Sequence, residues 1–270
     1  MKPSRSTLHH EIVTLRLVLK TANRHGWLPH VPDLTAPYRS SNKIEHRAWF
    51  SPEEYKRLYE ATRARSKRPG IAAWQNRAAA HLHDYVLFMA NTGLRPDEAS
   101  RLEFRDVAIV KDEATGERIL VIEVRGKRGV GYCKSMPGAV LPFKRIQERI
   151  GGEPTNRLFE KVQRKMFTTI LNELDLKKDR DGNARTAYSL RHTYICFRLL
   201  EGADIYQVAK NCRTSVEMIE KHYAVHLKNT LDAAAINVRK PKREAKPKPA
   251  SAEQTKQPRP RPGQGRNAPV

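Results

Sequence analysis

Residues 186–223 read TAYSLRHTYICFRLLEGADIYQVAKNCRTSVEMIEKHY, and a succession of short helices accounts for that pattern. Leu190, Tyr194 and Phe197 recur three or four positions apart and so share one helical face. Gly202 stops that helix, because the residue just past a helix end often takes the left-handed conformation. Asp204 is placed to cap a second helix. Thr214 is placed to cap a third, with Glu217 three residues on to complete a capping box. His222 and Tyr223 fall at the far end of the third helix, so Arg191 and His192 sit on the first and Tyr223 on the last of three successive helices. A basic helical segment with an ordinary tyrosine has the same pattern, and this stretch alone does not choose between the two.

A second stretch does. Residues 91–102 read NTGLRPDEASRL and follow an apolar run that includes Tyr85, Val86, Leu87 and Met89. Gly93 suits the end of one helix and Pro96 the first turn of the next, which holds Arg95 in a tight joint between them. Further on, Ile119, Val121 and Ile122 give strand propensity to residues 118–124. The glycine-flanked turn GKRG (126–129) then leads to a second extended segment expected around Ala139 to Leu141. That arrangement is a hairpin with Lys127 at its tip, and a turn lysine taken by itself is simply solvated.

TGLRxxE, then SLRHTY, then a tyrosine near the end of the domain, in that order and spacing, resemble the tyrosine recombinase (phage integrase) family over residues 46–235. The resemblance implies a mainly α-helical (α+β) catalytic domain with a small β-hairpin or three-stranded sheet. It implies site-specific DNA strand exchange through a 3′-phosphotyrosyl intermediate, in the integration or excision of a mobile element. In that reading Arg95 and Arg191 clamp the phosphate, Tyr223 attacks phosphorus, and Lys127 protonates the departing 5′ oxygen, with Lys134 as the second lysine candidate. Arginine suits the clamp because its planar, permanently charged fork holds two phosphate oxygens at once. A free tyrosine ionises near pH 10, so neighbouring cations are expected to favour its phenolate. Glu98 is read as orienting Arg95 or a helix, and His192 as a supporting residue rather than a base.

Two positions depart from the family pattern. Tyr188 stands where an HxxR motif has histidine; a phenol donates to a phosphate oxygen but accepts a proton poorly. Arg213-Thr214 stands where the family shows a Gly-His or Gly-Trp pair. Thr214 either donates one hydrogen bond or caps the last helix, with the cap favoured. Arg213 is expected to resist the positive φ that a glycine supplies there.

Around this centre, SPEE (51–54) is a strong helix start: Ser51 as cap, Pro52 at the first position, Glu54 at the third. Apolar spacing makes residues 143–149 and 158–174 scaffold helices. Residues 6–28 read as one helix with its exit, followed by a proline-broken linker from Pro29 to Ile44. That first helix resembles the last part of the core-binding domain that precedes the catalytic domain in phage integrases, so the chain is expected to be truncated there. The division expected is therefore 1–45 as core-binding remnant and linker, 46–238 as catalytic domain, and 239–270 as a disordered tail. The tail carries ten Lys or Arg against two Glu and no large apolar residue before the final Val270.

Composition fits that organisation. A net charge of +22 over 270 residues attracts polyanions, nucleic acid foremost. Double-stranded DNA is the expected partner, with assembly into a tetramer on DNA and an accessory directionality factor. No stretch approaches the roughly 20 apolar residues of a spanning helix, and the first residues lack the apolar run of a secretory signal. Cys133, Cys196 and Cys212 are scattered and odd in number, which fits a reducing cytoplasm, at the nucleoid, rather than a disulfide framework. His81 and His83 lack the i, i+4 spacing of a helical metal pair, and no cofactor is expected. The rival from another class is a decayed integrase that binds DNA without cleaving it.

Overall fold

In the computed structural model the SPEE motif starts a helix as its chemistry dictates. Ser51 Oγ accepts from the Glu54 N–H (3.2 Å), and Glu54 Oε2 accepts from the Ser51 N–H (2.9 Å). The structure describes residues 3–34, 47–70, 72–126, 129–160 and 162–223. Most of the expected linker, the tip lysine Lys127 and the whole basic tail lie outside those residues.

Helix α1 (Arg5–Arg24) is capped by Ser4 and buries none of its residues; Leu17 and Val18 are 61% and 59% exposed. One helix has no partner surface of its own on which to bury an apolar face. Helix α2 (Pro52–Ser66) packs along α3 (Ala73–Thr92), the central helix, whose last three turns are buried on nearly every side. Tyr85 and Phe159 meet edge to face in that core, with ring centres 5.0 Å apart. Gly93 ends α3 at φ +66°, and the single turn α4 (Pro96–Ala99) follows at once.

The sheet has three antiparallel strands in sequence order: β1 (Val107–Lys111), β2 (Arg118–Gly126) and β3 (Gly129–Lys134). The hairpin register pairs Gly126 with Gly129 and Ile122 with Cys133. The second extended segment is therefore Gly129–Lys134, not the stretch around Ala139 to Leu141 that sequence reasoning assigns to it. Ala139 closes a 3₁₀ turn, and Val140 begins helix α5 (Val140–Ile150). The strand was hidden because GVGYCK carries two glycines and buries only Cys133, so it lacks apolar alternation. Pro142 lies in the first turn of α5, where its missing N–H costs nothing. Helix α6 (Arg164–Glu173) is shorter than the expected 158–174, since Leu158 and Phe159 are fully buried in the loop that precedes it.

Helices α7 (Ala187–Leu200), α8 (Ile205–Asn211) and α9 (Val216–Tyr223) complete the described chain. The buried faces of α2, α3, α5, α6 and the sheet form the main core, with Leu190 of α7. Tyr194, Ile195, Val208, Ile219 and Tyr223 form a second, smaller cluster. The architecture is mainly α-helical with one small sheet. Among the described residues no helix is long and apolar enough to cross a membrane.

Candidate active site

Arginine placement begins at the Gly93 joint. A side chain there would not only meet the positive φ; a Cβ would lie 2.4 Å from the Tyr194 ring. The chain therefore turns tightly enough to put Arg95 at the start of α4. Buried Glu98 fixes it: Oε2 accepts from the Arg95 N–H (2.9 Å) and Oε1 from Arg95 Nη1 (2.8 Å). Arg95 Nη2 donates to the Arg213 carbonyl (2.9 Å). Arg191, only 4% exposed on α7, donates from Nη1 to the Gly93 carbonyl and from Nη2 to the Cys212 carbonyl (2.6 Å). Two consecutive carbonyls, Cys212 and Arg213, thus hold the two arginines. Each guanidinium keeps further N–H groups beyond these bonds, because the fork carries five.

The turn that presents those carbonyls accounts for the second departure from the family pattern, Arg213-Thr214. Arg213 adopts φ +53°. The Arg213 N–H donates to Lys210 O (3.1 Å) and the Thr214 N–H to Ala209 O (3.0 Å), the bond pair of a Schellman ending to α8. Arg213 therefore takes the left-handed position itself, contrary to the expected resistance. Its side chain offsets the cost by donating to Glu98 Oε1 (3.3 Å), Val124 O (3.2 Å) and Gly129 O (3.0 Å). Gly131 leaves the room for it: a Cβ there would stand 3.0 Å from Arg213 Nε.

Because Thr214 is spent on that ending, helix α9 starts one residue later than expected. Ser215, not Thr214, caps it: Ser215 Oγ accepts from the Met218 N–H (3.3 Å), and the proposed box with Glu217 does not form. Half-buried Thr214 faces the same cavity as the arginines.

That cavity, about 520 Å³, is lined by Arg95, Tyr188, Arg191, His192, Thr214 and Tyr223, together with Arg47 and His222. Tyr188 is 39% exposed, and its ring lies 5.3 Å from that of His192. Tyr223 is 6% exposed, and its hydroxyl shares a hydrogen bond with His192 Nδ1. Burial pushes the Tyr223 hydroxyl well above its ordinary pKa, with Arg191 pulling the other way. In the DNA-free cavity burial therefore outweighs the cations that were expected to favour the phenolate. Burial, then Arg47, Arg191 and His222, push His192 down to about 3. His192 is thus neutral at physiological pH and in direct contact with Tyr223.

Arg47 was not anticipated. It precedes α2 in a segment pinned to α7, where the Phe50 N–H donates to Thr193 Oγ1 (2.9 Å) and Arg185 Nε donates to Trp49 O (2.8 Å). No periodicity or motif marks it; only its position just before SPEE does. Lys127 lies outside the described residues. Lys134 is on the sheet, ion-paired with Asp112 (2.8 Å), and does not line the cavity. Among the described residues no group of His, Cys, Asp or Glu is arranged to hold a metal ion. A larger cavity of about 720 Å³ near Trp74, Arg77 and His81 contains none of the candidate residues.

No protein-family model matches the sequence, and no curated protein does. Solved structures do. The chain is similar to the XerH site-specific recombinase bound to palindromic difH substrate, with TM-score 0.52 and 19% identity over 75% of this chain and 55% of that one. It is similar to the Tn1549 transposon integrase in complex with circular intermediate DNA, with TM-score 0.54 and 16% identity over 81% and 75%. A complex of that integrase with transposon right-end DNA gives TM-score 0.56 at 14% identity, over 82% and 75%. The chain spans 55% to 60% of the length of the XerH chains it matches. Its fold is that of the tyrosine recombinase catalytic domain.

Proposed function

We propose that the protein is a DNA strand transferase of the site-specific recombinase kind, cleaving and rejoining DNA through a 3′-phosphotyrosyl intermediate. One observation carries this reading: Tyr223 lines the same cavity as Arg95 and Arg191. A phosphodiester seated between the two arginines presents its phosphorus to Tyr223 Oη. The Oη–P bond forms as the P–O5′ bond breaks, and Lys127 of the hairpin supplies the proton that the 5′ oxygen takes away. Tyr188 and Thr214 donate to the remaining phosphate oxygens. Preorganised donors of this sort each contribute about 3 kcal/mol to transition-state stabilisation. The phosphotyrosyl link keeps the bond energy, so the reverse attack by a 5′ hydroxyl rejoins the strand without ATP. The partner is double-stranded DNA, held by a tetramer that serves the integration or excision of a mobile element and works with an accessory directionality factor.

A second reading, a DNA-binding integrase that no longer cleaves, draws on the deep burial of Tyr223. The test separates them. A nicked duplex carrying the cognate junction should release its short 5′ fragment and leave the rest on the protein, in a complex that survives denaturing electrophoresis. Peptide mapping should find the DNA on Tyr223. Tyr223→Phe removes one hydroxyl and should abolish the adduct while binding stays within about twofold. Absence of an adduct with the wild-type chain would leave the binder.

A further inference from the structure

We infer that His192 is the group that takes the proton from Tyr223 as the tyrosine attacks phosphorus, in the place that Tyr188 leaves without a base. The inference rests on the strand-transferase reading and deepens it. Tyr188 and His192 are four residues apart on α7, so they present to one cavity from successive turns. The phenol at 188 is a poor proton acceptor; the imidazole one turn later is a good one, and it already touches the nucleophile. His192 Nδ1 and Tyr223 Oη are hydrogen-bonded, with ring centres 5.5 Å apart, and both residues are more than nine-tenths buried. The bond is buried, and geometry is the first requirement of a general base.

The charges that face the imidazole come from every side of the cavity. Arg47 lies ahead of α2, Arg191 is its neighbour on α7, and His222 is on α9. Together with burial they keep it neutral, able to accept but weakly basic. A bound phosphodiester adds a negative charge among the same cations, so the basicity of His192 rises when substrate arrives. The step then balances. The proton passes from Tyr223 Oη to Nδ1, the Oη–P bond forms, the P–O5′ bond breaks, and O5′ leaves with a proton from the hairpin lysine. On rejoining, the protonated imidazole returns its proton to the departing tyrosine. Positioned proton transfer of this kind contributes on the order of 10²-fold or more in rate.

The test compares adduct formation by wild type and His192→Gln on the nicked duplex at saturating DNA, from pH 7 to pH 9.5. Glutamine keeps polarity and volume but does not accept a proton. Wild type should be nearly flat across this range, since His192 is neutral throughout. The variant should bind DNA normally, react about 100-fold more slowly at pH 7, and recover close to tenfold per pH unit as solvent ionises the phenol. A loss that stays constant with pH, or no loss at all, would overturn the assignment while the strand-transferase reading stands. Nitrogen-15 spectra of the DNA-free protein give an independent readout should glutamine disturb folding. His192 should carry its proton on Nε2 and accept at Nδ1; a proton fixed on Nδ1 would overturn the inference. A wild-type chain that forms no adduct at any pH fails both claims together.

Discussion

Arg213 shows how one residue can hold several parts of a site. Its left-handed backbone costs an L residue about 1–2 kcal/mol, yet that backbone aims the Cys212 and Arg213 carbonyls at the two arginines. Its side chain reaches the Glu98 carboxylate and two carbonyls of the β2–β3 hairpin. Arg213→Gly should therefore relax the backbone but free the hairpin. Amide exchange at Val124 to Gly131 should accelerate, and adduct formation should fall about tenfold while DNA binding holds. Arg213→Ala loses the same hydrogen bonds and keeps the strain, so urea unfolding should find it about 1 kcal/mol less stable than the glycine variant. Equal stability of the two would mean that the φ of +53° carries no strain. In the sequence, this position read only as a missing glycine. The compensation was not legible there, because it comes from Glu98 and Gly129, 115 and 84 residues away in the chain.

At the scale of elements, what was legible is what local chemistry writes. The Ser51 box, the Gly93–Pro96 joint and the Asp204 cap all follow from side chains within four residues of one another, and all form. Strand β3 and the start of α9 were misassigned for non-local reasons. The first is defined by its register on β2. The second is displaced by the ending of α8, which consumes the Thr214 N–H. The α9 start is checked by a pair of variants. Ser215→Ala removes the cap and should lower stability by about 1 kcal/mol. Thr214→Ala should leave unfolding near wild type and slow adduct formation, since its side chain faces the cavity and caps nothing. The reverse pattern would return the cap to Thr214 and take that residue out of the proposed phosphate contacts.

Across the whole molecule, three motifs in order led to the expectation that Arg95, Tyr188, Arg191, Thr214 and Tyr223 share one cavity, as they do, while Lys127 lies outside the described residues. Arg47 and the His192–Tyr223 contact were not legible, since they depend on how the segment before α2 and helix α9 pack on α7. Charge is the remaining whole-molecule property. Residues 239–270 hold ten Lys or Arg against two Glu, so about a third of the net charge of +22 sits in a stretch with no large apolar residue before Val270. Cations of this kind bind phosphates by releasing condensed counterions, which makes affinity fall linearly with log salt at about 0.9 per contact. Deleting 239–270 should flatten that dependence by about 4–5 if about four to six of the ten cations touch DNA. The same deletion should leave the adduct rate at saturating DNA unchanged, because no residue proposed for the cavity lies beyond Tyr223. The measurement is a binding isotherm repeated between about 50 and 200 mM salt. An unchanged slope would make the stretch a spacer, whereas a flatter slope with a slower adduct rate would mean that these cations also act at the cleavage step.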